Sequence, residues 1–330
     1  MTFTDYPDLA SRLLGGSVVA ANDELFAAKE NLITPGPAVF APDEYGPRGK
    51  VYDGWETRRR REDGHDYAIV RLGVPGIVHG VVVDTAFFRG NYPPQVSAEA
   101  VHAPGYPAPA ELAALEWQPL VQRADVRGDT ANHYPVDSRG RWTHVRLSIY
   151  PDGGVARLRV HGEPVADPAF LSGTVDLAAL ENGGRLTGCS DAFYSSAGNL
   201  ILPGRPVSMA DGWENARRRD GGYDYATFAL CAAGIVRQAE IDTSYFVGNA
   251  PGWARLLASA PDEPDGWREL LPRTRLQPDT RHRFLIPPGE PAAHVRLEVF
   301  PDGGLARLRI LGEITPDGIS WLTDRYRSCI

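Results

Sequence analysis

The sequence predicts an all-β protein built from two tandem sandwiches or jelly rolls, and three observations predict it. The first is a domain-sized repeat. Asp53-Gly54-Trp55-Glu56 and the Arg run that follows return as Asp211-Gly212-Trp213-Glu214 with Arg217, Arg218 and Arg219, displaced by 158 positions. Further on, His144-Val145-Arg146-Leu147 and Pro151-Asp152-Gly153-Gly154 return as His294-Val295-Arg296-Leu297 and Pro301-Asp302-Gly303-Gly304 at an offset of 150, so copy one carries eight extra residues between Asn91 and Trp117. A repeat of this length marks duplicated domains rather than a solenoid. The second observation is short, β-branched, alternating runs between Pro/Gly turns. The third is the absence of strand–helix alternation, which removes the parallel-sheet folds.

In chain order, residues 1–16 read as an N-terminal arm with a helical signal (Leu9, Leu13, Leu14) stopped by Gly15-Gly16. Copy one spans 17–163. Within it, residues 67–72 and 76–85 read as two strands. Residues 143–150 alternate, with Val145, Leu147 and Ile149 on one face and His144, Arg146 and Ser148 on the other. Pro151 to Gly154 form a turn by composition, since Pro presets φ and Gly supplies positive φ. Residues 155–160 then read as the second arm of a hairpin. Residues 164–185 link the copies, with one short helix expected from Leu171 to Leu180. Copy two spans 186–313, and 314–330 are a C-terminal tail.

Length and composition exclude several classes. At 330 residues the chain can bury two cores. A formal net charge of −8 disfavours nucleic acid and anionic membranes as partners, both of which reward basic patches. No stretch approaches the ~20 apolar residues of a membrane span, and the first residues lack the basic and apolar regions of a secretory signal. Three cysteines, Cys189, Cys231 and Cys329, with no Cys-x-x-Cys, argue for a reducing, cytoplasmic setting and against a disulfide framework or a thiolate zinc site. A homo-oligomer is left open.

The polar residues of each copy gather around the Asp-Gly-Trp-Glu string. One reading makes Asp-Gly a turn, Trp a core residue and the charges a surface ion network. The other is a ligand site. Consecutive Arg on a strand alternate faces, so at least one per copy points inward and needs a carboxylate partner. Asp84 and Asn91 bracket an aromatic loop, and Asn suits an amide or urea-like group. His144 and His294 lie on the polar strand face; in a cleft such a His is a general base. His133 and His282 are further candidates that fall one position apart in the repeat. No nucleotide loop, zinc-protease or nucleophile-elbow motif is present.

Four strings together resemble the allantoicase family: residues 53–59, Phe87 to Pro93, Trp142 to Leu147, and Tyr150 to Arg159. Residues 270–282 look like that family's second-repeat signature, and the likeness runs from about residue 17 to 313. The resemblance implies two tandem jelly rolls of the galactose-binding, discoidin-like kind. It also implies hydrolysis of allantoate to ureidoglycolate and urea in allantoin, hence purine, breakdown. The competing function is a non-catalytic discoidin-like module for a small polar or carbohydrate ligand.

Fitted to allantoate, a small carboxylate with two ureido arms, the residues take roles. Glu56, Asp84 and His144 are the catalytic candidates, with Glu56 and His144 dividing acid and base work. Arg59, Arg60, Asn91 and Arg146 are the substrate-binding candidates. Their equivalents in copy two are Glu214, Arg217, Arg218, Asp242, Asn249, His294 and Arg296. The pattern makes no cofactor certain. A divalent cation such as Mn²⁺ held by Glu56, Asp84 and His144 is an open alternative, and no metal ligand set is assigned. The site is expected on the rim of copy one. There Arg89-Gly90-Asn91-Tyr92-Pro93 and Arg58 keep the fuller pattern, against Val247-Gly248-Asn249-Ala250-Pro251 and Ala216 in copy two.

Overall fold

A computed structural model describes residues 2–46 and 49–330; Met1 of the predicted arm lies outside the described residues. The chain forms two compact units, Met1–Val165 with Cys329–Ile330, and Ala166–Ser328. Each is a jelly roll, and β-strands dominate both.

In the first unit one strand organises everything. Residues 67–72 and 76–85, expected as two strands, are parts of a single 19-residue strand, Asp66–Asp84. Its first half pairs with Ser17–Ala21 and with Arg141–Tyr150, and its second half pairs with Ala131–Pro135 and Arg157–Pro164. The pairing register shifts between Arg71 and Gly76, where the strand passes from one layer of the sandwich to the other. Gln95–Val101 and Gln118–Asp125 extend the first layer beyond Arg141–Tyr150. Between the layers lies a core that includes Val70, Val81, Val145, Leu147, Ile149 and Val160, all fully buried. Each such aliphatic side chain contributes roughly 1.5–3 kcal/mol relative to exposure.

The expected hairpin across Pro151 to Gly154 does not form. After the cis Tyr150–Pro151 bond the chain pairs Gly154 and Val155 with Glu56 and Trp55. That pairing draws Arg157–Pro164 onto the second half of the long strand instead of back along Arg141–Tyr150. The Asp-Gly-Trp-Glu string and the Pro-Asp-Gly-Gly string are therefore partners in one small two-stranded piece at the rim. No Cβ fits at Gly54 or Gly154, because each faces Phe88 within 2.7 Å or less.

The second unit repeats the plan around Asp224–Asp242, with Ala292–Phe300 on its first half and Arg307–Ile314 and Arg281–Leu285 on its second. The helix expected from Leu171 to Leu180 is absent. A short strand, Thr174–Asp176, lies there between single 3₁₀ turns and pairs with Arg307–Ile314. Residues 1–16 likewise hold two 3₁₀ turns, Phe3–Asp5 and Arg12–Leu14, rather than a helix. The reason is a further part of the repeat, in which Asp8-Leu9-Ala10 corresponds to Asp176-Leu177-Ala178. Leu9, Ala10, Leu177 and Ala178 are fully buried. Asp8 Oδ1 accepts from the Val160 and Ala10 N–H groups (2.9 and 3.1 Å), and Asp176 Oδ1 accepts from Ile310 and Ala178 (3.0 and 3.2 Å). The tail carries the helix Pro316–Ser328, seated on Ala232 and Leu171 through Leu322. Among the described residues no helix is long and apolar enough to cross a membrane.

Candidate functional site

The rim of the first unit brings together three segments around Glu56. Trp55, fully buried, anchors the segment and donates from its indole to the Asp23 carbonyl at 2.7 Å. Asn31 donates to the Gly54 carbonyl at 2.9 Å. Glu56, next along, is 8 % exposed. Its Oε1 accepts from Asn91 Nδ2 at 2.6 Å, and its Oε2 is buried with no partner. Burial pushes the Glu56 carboxyl above its usual range, and the Asn91 hydrogen bond opposes that rise. The Asn91 carbonyl in turn accepts from Gly154 N at 2.7 Å, and Gly154 is the strand partner of Glu56. The acid is thus held in a closed ring of contacts: Glu56 to Asn91, Asn91 to Gly154, Gly154 to Glu56. A cavity of about 670 Å³, walled by residues 21–26 and Arg58, adjoins the same strand, since Phe26 and Ala27 donate to the Glu56 carbonyl.

The Arg run divides as strand geometry requires. Arg60 points inward: its Nη1 donates to the buried Asp66 carboxylate at 2.6 Å, and its main-chain N–H donates to Asp152 at 2.8 Å. Arg60 is therefore held in the scaffold and not offered to a substrate. Arg58 pairs with Asp23. Arg59 and Arg61 are both exposed, with no hydrogen bond or ion pair among the described residues, so both keep a free guanidinium.

Three other candidates lie elsewhere. His144 sits six residues before Tyr150 on its strand, ~20 Å from the Glu56 end at 3.3 Å per residue. It is 2 % exposed, its Nδ1 meets Thr143 Oγ1 at 2.9 Å, and burial, reinforced by Arg71, lowers its pKa to about 4. His144 is a sealed, neutral imidazole that does not share the Glu56 site. Arg146 is paired with Glu99 through two bonds (2.9 and 2.6 Å) and lies over Trp117, on the outer face of the sheet. Asp84 ends the long strand and caps its own loop, accepting from Ala86 N at 2.9 Å. Glu56, Asp84 and His144 therefore do not converge as ligands, and among the described residues no cluster of three His, Cys, Asp or Glu suits a metal ion.

The second unit repeats two of these contacts at the same sequence spacing. Asn249 Nδ2 donates to Glu214 Oε1 at 2.6 Å, and the Asn249 carbonyl accepts from Gly304 N at 2.8 Å. Arg218 binds the buried Asp224 at 2.7 Å, and Arg217 is exposed without a partner among the described residues. Asp242 caps its loop through Ser244. His294 is half-buried, its pKa lowered by burial and by Arg185, and its Nδ1 has no partner. Arg296 is paired with Glu298 and lies over Tyr225.

The one-position slip between His133 and His282 also has its explanation. His282 stands where copy one has Asn132, opposite Ile241 as Asn132 is opposite Val83. Both side chains shape the loop that precedes them: Asn132 accepts from Arg127 N, and His282 Nε2 accepts from Gln277 N at 2.9 Å. Sequence reasoning missed Asp66 and Asp152 as the partners of Arg60. The signal was present, because Asp66 and Asp152 both recur with the repeat as Asp224 and Asp302.

Known proteins match this chain across both units. A family description, the allantoicase repeat, matches residues 7–165 and 175–315. A relative from Nocardia farcinica, named "Probable allantoicase", is 58% identical over 318 residues, covering 94% of this chain and 95% of the relative. One of the same name from Streptomyces coelicolor is 52% identical over 341 residues, covering 99% and 90%. The crystal structure of the allantoicase of Saccharomyces cerevisiae superposes with a TM-score of 0.80 at 35% identity, covering 93% of this chain and 92% of that one.

Proposed function

We propose, from the premise that this chain belongs to the allantoicase family, that Glu56 of the first unit carries the proton transfers of its reaction. The chain hydrolyses allantoate to ureidoglycolate and urea, a step of purine degradation. In that reaction the bond between the central carbon and one ureido nitrogen breaks, and a water oxygen takes the vacated position. The leaving nitrogen needs a proton and the water must lose one.

Glu56 supports both halves. Burial favours its neutral form, and in that form it can give its proton to the departing urea nitrogen. The carboxylate left behind takes a proton from the incoming water, which restores the starting state. His144, expected from the sequence to share this work, is too distant and too buried to take part. Arg59, the free guanidinium nearer Glu56 in the chain, is the one assigned to grip the substrate carboxylate, in the bidentate geometry Arg favours. Three cysteines with no disulfide among the described residues fit a reducing, cytoplasmic setting.

The single observation that carries this assignment is the orphaned, buried Glu56 Oε2. A buried carboxyl oxygen without a partner is costly in a purely structural role. Assaying urea release from allantoate by Glu56→Gln tests it. Turnover should fall roughly 10²–10⁴-fold, the range of a lost acid–base group. Wild-type turnover in the folded variant removes Glu56 from the mechanism.

A further inference from the structure

We infer that Asn91 acts on the reaction through Glu56, as a positioning residue that holds Oε1 as an acceptor so that the transferable proton sits on Oε2. This rests on the reading of Glu56 as the proton donor. It replaces the sequence-based expectation that Asn91 reads a ureido group of the substrate.

The geometry fixes the direction of the bond. Asn91 Nδ2 is a donor only, and it lies 2.6 Å from Glu56 Oε1. An oxygen that accepts this bond is the carbonyl oxygen of the protonated acid, so the proton belongs on the other oxygen. That oxygen, Oε2, is the one left without a protein partner. Asn91 is itself fixed at its main chain, because its carbonyl accepts from Gly154 N at 2.7 Å, and Gly154 pairs with Glu56. The amide therefore cannot turn toward a ligand without leaving the acid.

The second unit argues that the arrangement does not depend on its neighbours. Around Asn249 the flanking residues change, Arg89 to Val247 and Tyr92 to Ala250, yet the Asn249–Glu214 bond is again 2.6 Å and the Asn249 carbonyl again accepts from the following turn, at Gly304 N. The bond also has a predictable effect on the acid. A hydrogen bond donated to a carboxylate favours the charged form, and here it opposes the rise that burial produces.

The test is the pH dependence of kcat/KM for urea release, measured with wild-type enzyme, Asn91→Ala and Asn91→Asp. A general acid is active while protonated, so its titration is the alkaline limb. Asn91→Ala should move that limb upward by about 1 pH unit and lower kcat about 10–100-fold, with KM changed by less than about 3-fold. Asn91→Asp keeps the size and the main-chain contacts. It sets a second carboxyl beside Glu56 and should move the limb further in the same direction, since two carboxyls at that distance share a proton. Asn249→Ala should leave the profile in place. A KM that rises tenfold or more with an unmoved limb would show that Asn91 binds substrate, and an unmoved limb in either folded Asn91 variant overturns the inference. These outcomes differ from failure of the underlying reading, which would show instead as full turnover in Glu56→Gln.

Discussion

The two units carry the same acid–amide pair in different surroundings. In both, a buried Trp is tied to the carbonyl of an Asp (Asp23 or Asp191), an Asn ties the preceding Gly, an inward Arg grips a buried Asp, and a Glu–Asn bond measures 2.6 Å. The surroundings diverge. Glu56 is buried, whereas Glu214 is half-buried. Arg58 pairs with Asp23, whereas Ala216 leaves Asp191 with main-chain donors. Arg157 forms an ion pair with Asp53 at 2.7 Å, whereas Arg307 meets Asp211 through the main-chain carbonyl. Duplication kept the scaffold that positions the Glu, and the burial of that Glu differs between copies.

The comparison can be broken most sharply at the free guanidiniums. If Arg59 grips the substrate carboxylate, Arg59→Ala should lower kcat/KM about 100-fold, mostly through KM, as expected for a charge-assisted hydrogen bond of about 1.5–3 kcal/mol. Arg217→Ala should change it less than about 3-fold. Steady-state urea release for the two variants decides, and equal effects would make the units equivalent.

The outer sheet faces give the next contrast. In the first unit Arg146 pairs with the partly exposed Glu99; in the second, Glu298, 1 % exposed, is held between Arg255 and Arg296 at 2.6 and 3.1 Å. Glu298→Ala leaves two guanidiniums around a buried gap and should destabilise by about 3 kcal/mol. Glu99→Ala should cost about 1 kcal/mol or less, as exposed pairs do. Urea denaturation midpoints measure both.

A smaller effect sharpens the comparison through pH. Burial raises the Asp176 carboxyl from 3.8 to about 6, despite Arg309 and two main-chain donors. The folded state therefore binds the proton more tightly than the unfolded chain. That contribution is complete below 3.8 and lost as pH rises through about 6, so stability should fall by roughly 1–2 kcal/mol between about pH 5 and 7.5. Asp176→Asn, which keeps the oxygen acceptor, should flatten that slope. Burial shifts Asp8 in the same direction, so Asp8→Asn should flatten it further. Thermal melts across this range provide the check.

Much of this architecture was legible in the sequence. The repeat marked both cores, and the alternation at residues 143–150 assigned the faces of that strand correctly. The Arg alternation required an inward Arg, and Arg60 with Asp66 is that pair. What was not legible depended on long-range pairing. The hairpin at Pro151 fails because Gly154 pairs with Glu56, about a hundred residues earlier, which no local pattern shows. His144 resembled a site residue because a polar strand face is ordinarily open; here it is 2 % exposed and its Nδ1 is held by Thr143 Oγ1. Helical spacing of Leu9, Leu13 and Leu14 misled because three apolar residues fit a buried irregular segment as well as a helix.

That the first unit's Glu56, and not its twin, performs the proton transfers is tested most directly by urea release from saturating allantoate, with Glu56→Gln and Glu214→Gln assayed side by side and each checked for folding. Glu56→Gln should lose roughly 10²–10⁴-fold in kcat, and Glu214→Gln less than about tenfold. Full activity in Glu56→Gln, or an equal loss in both variants, would contradict that assignment.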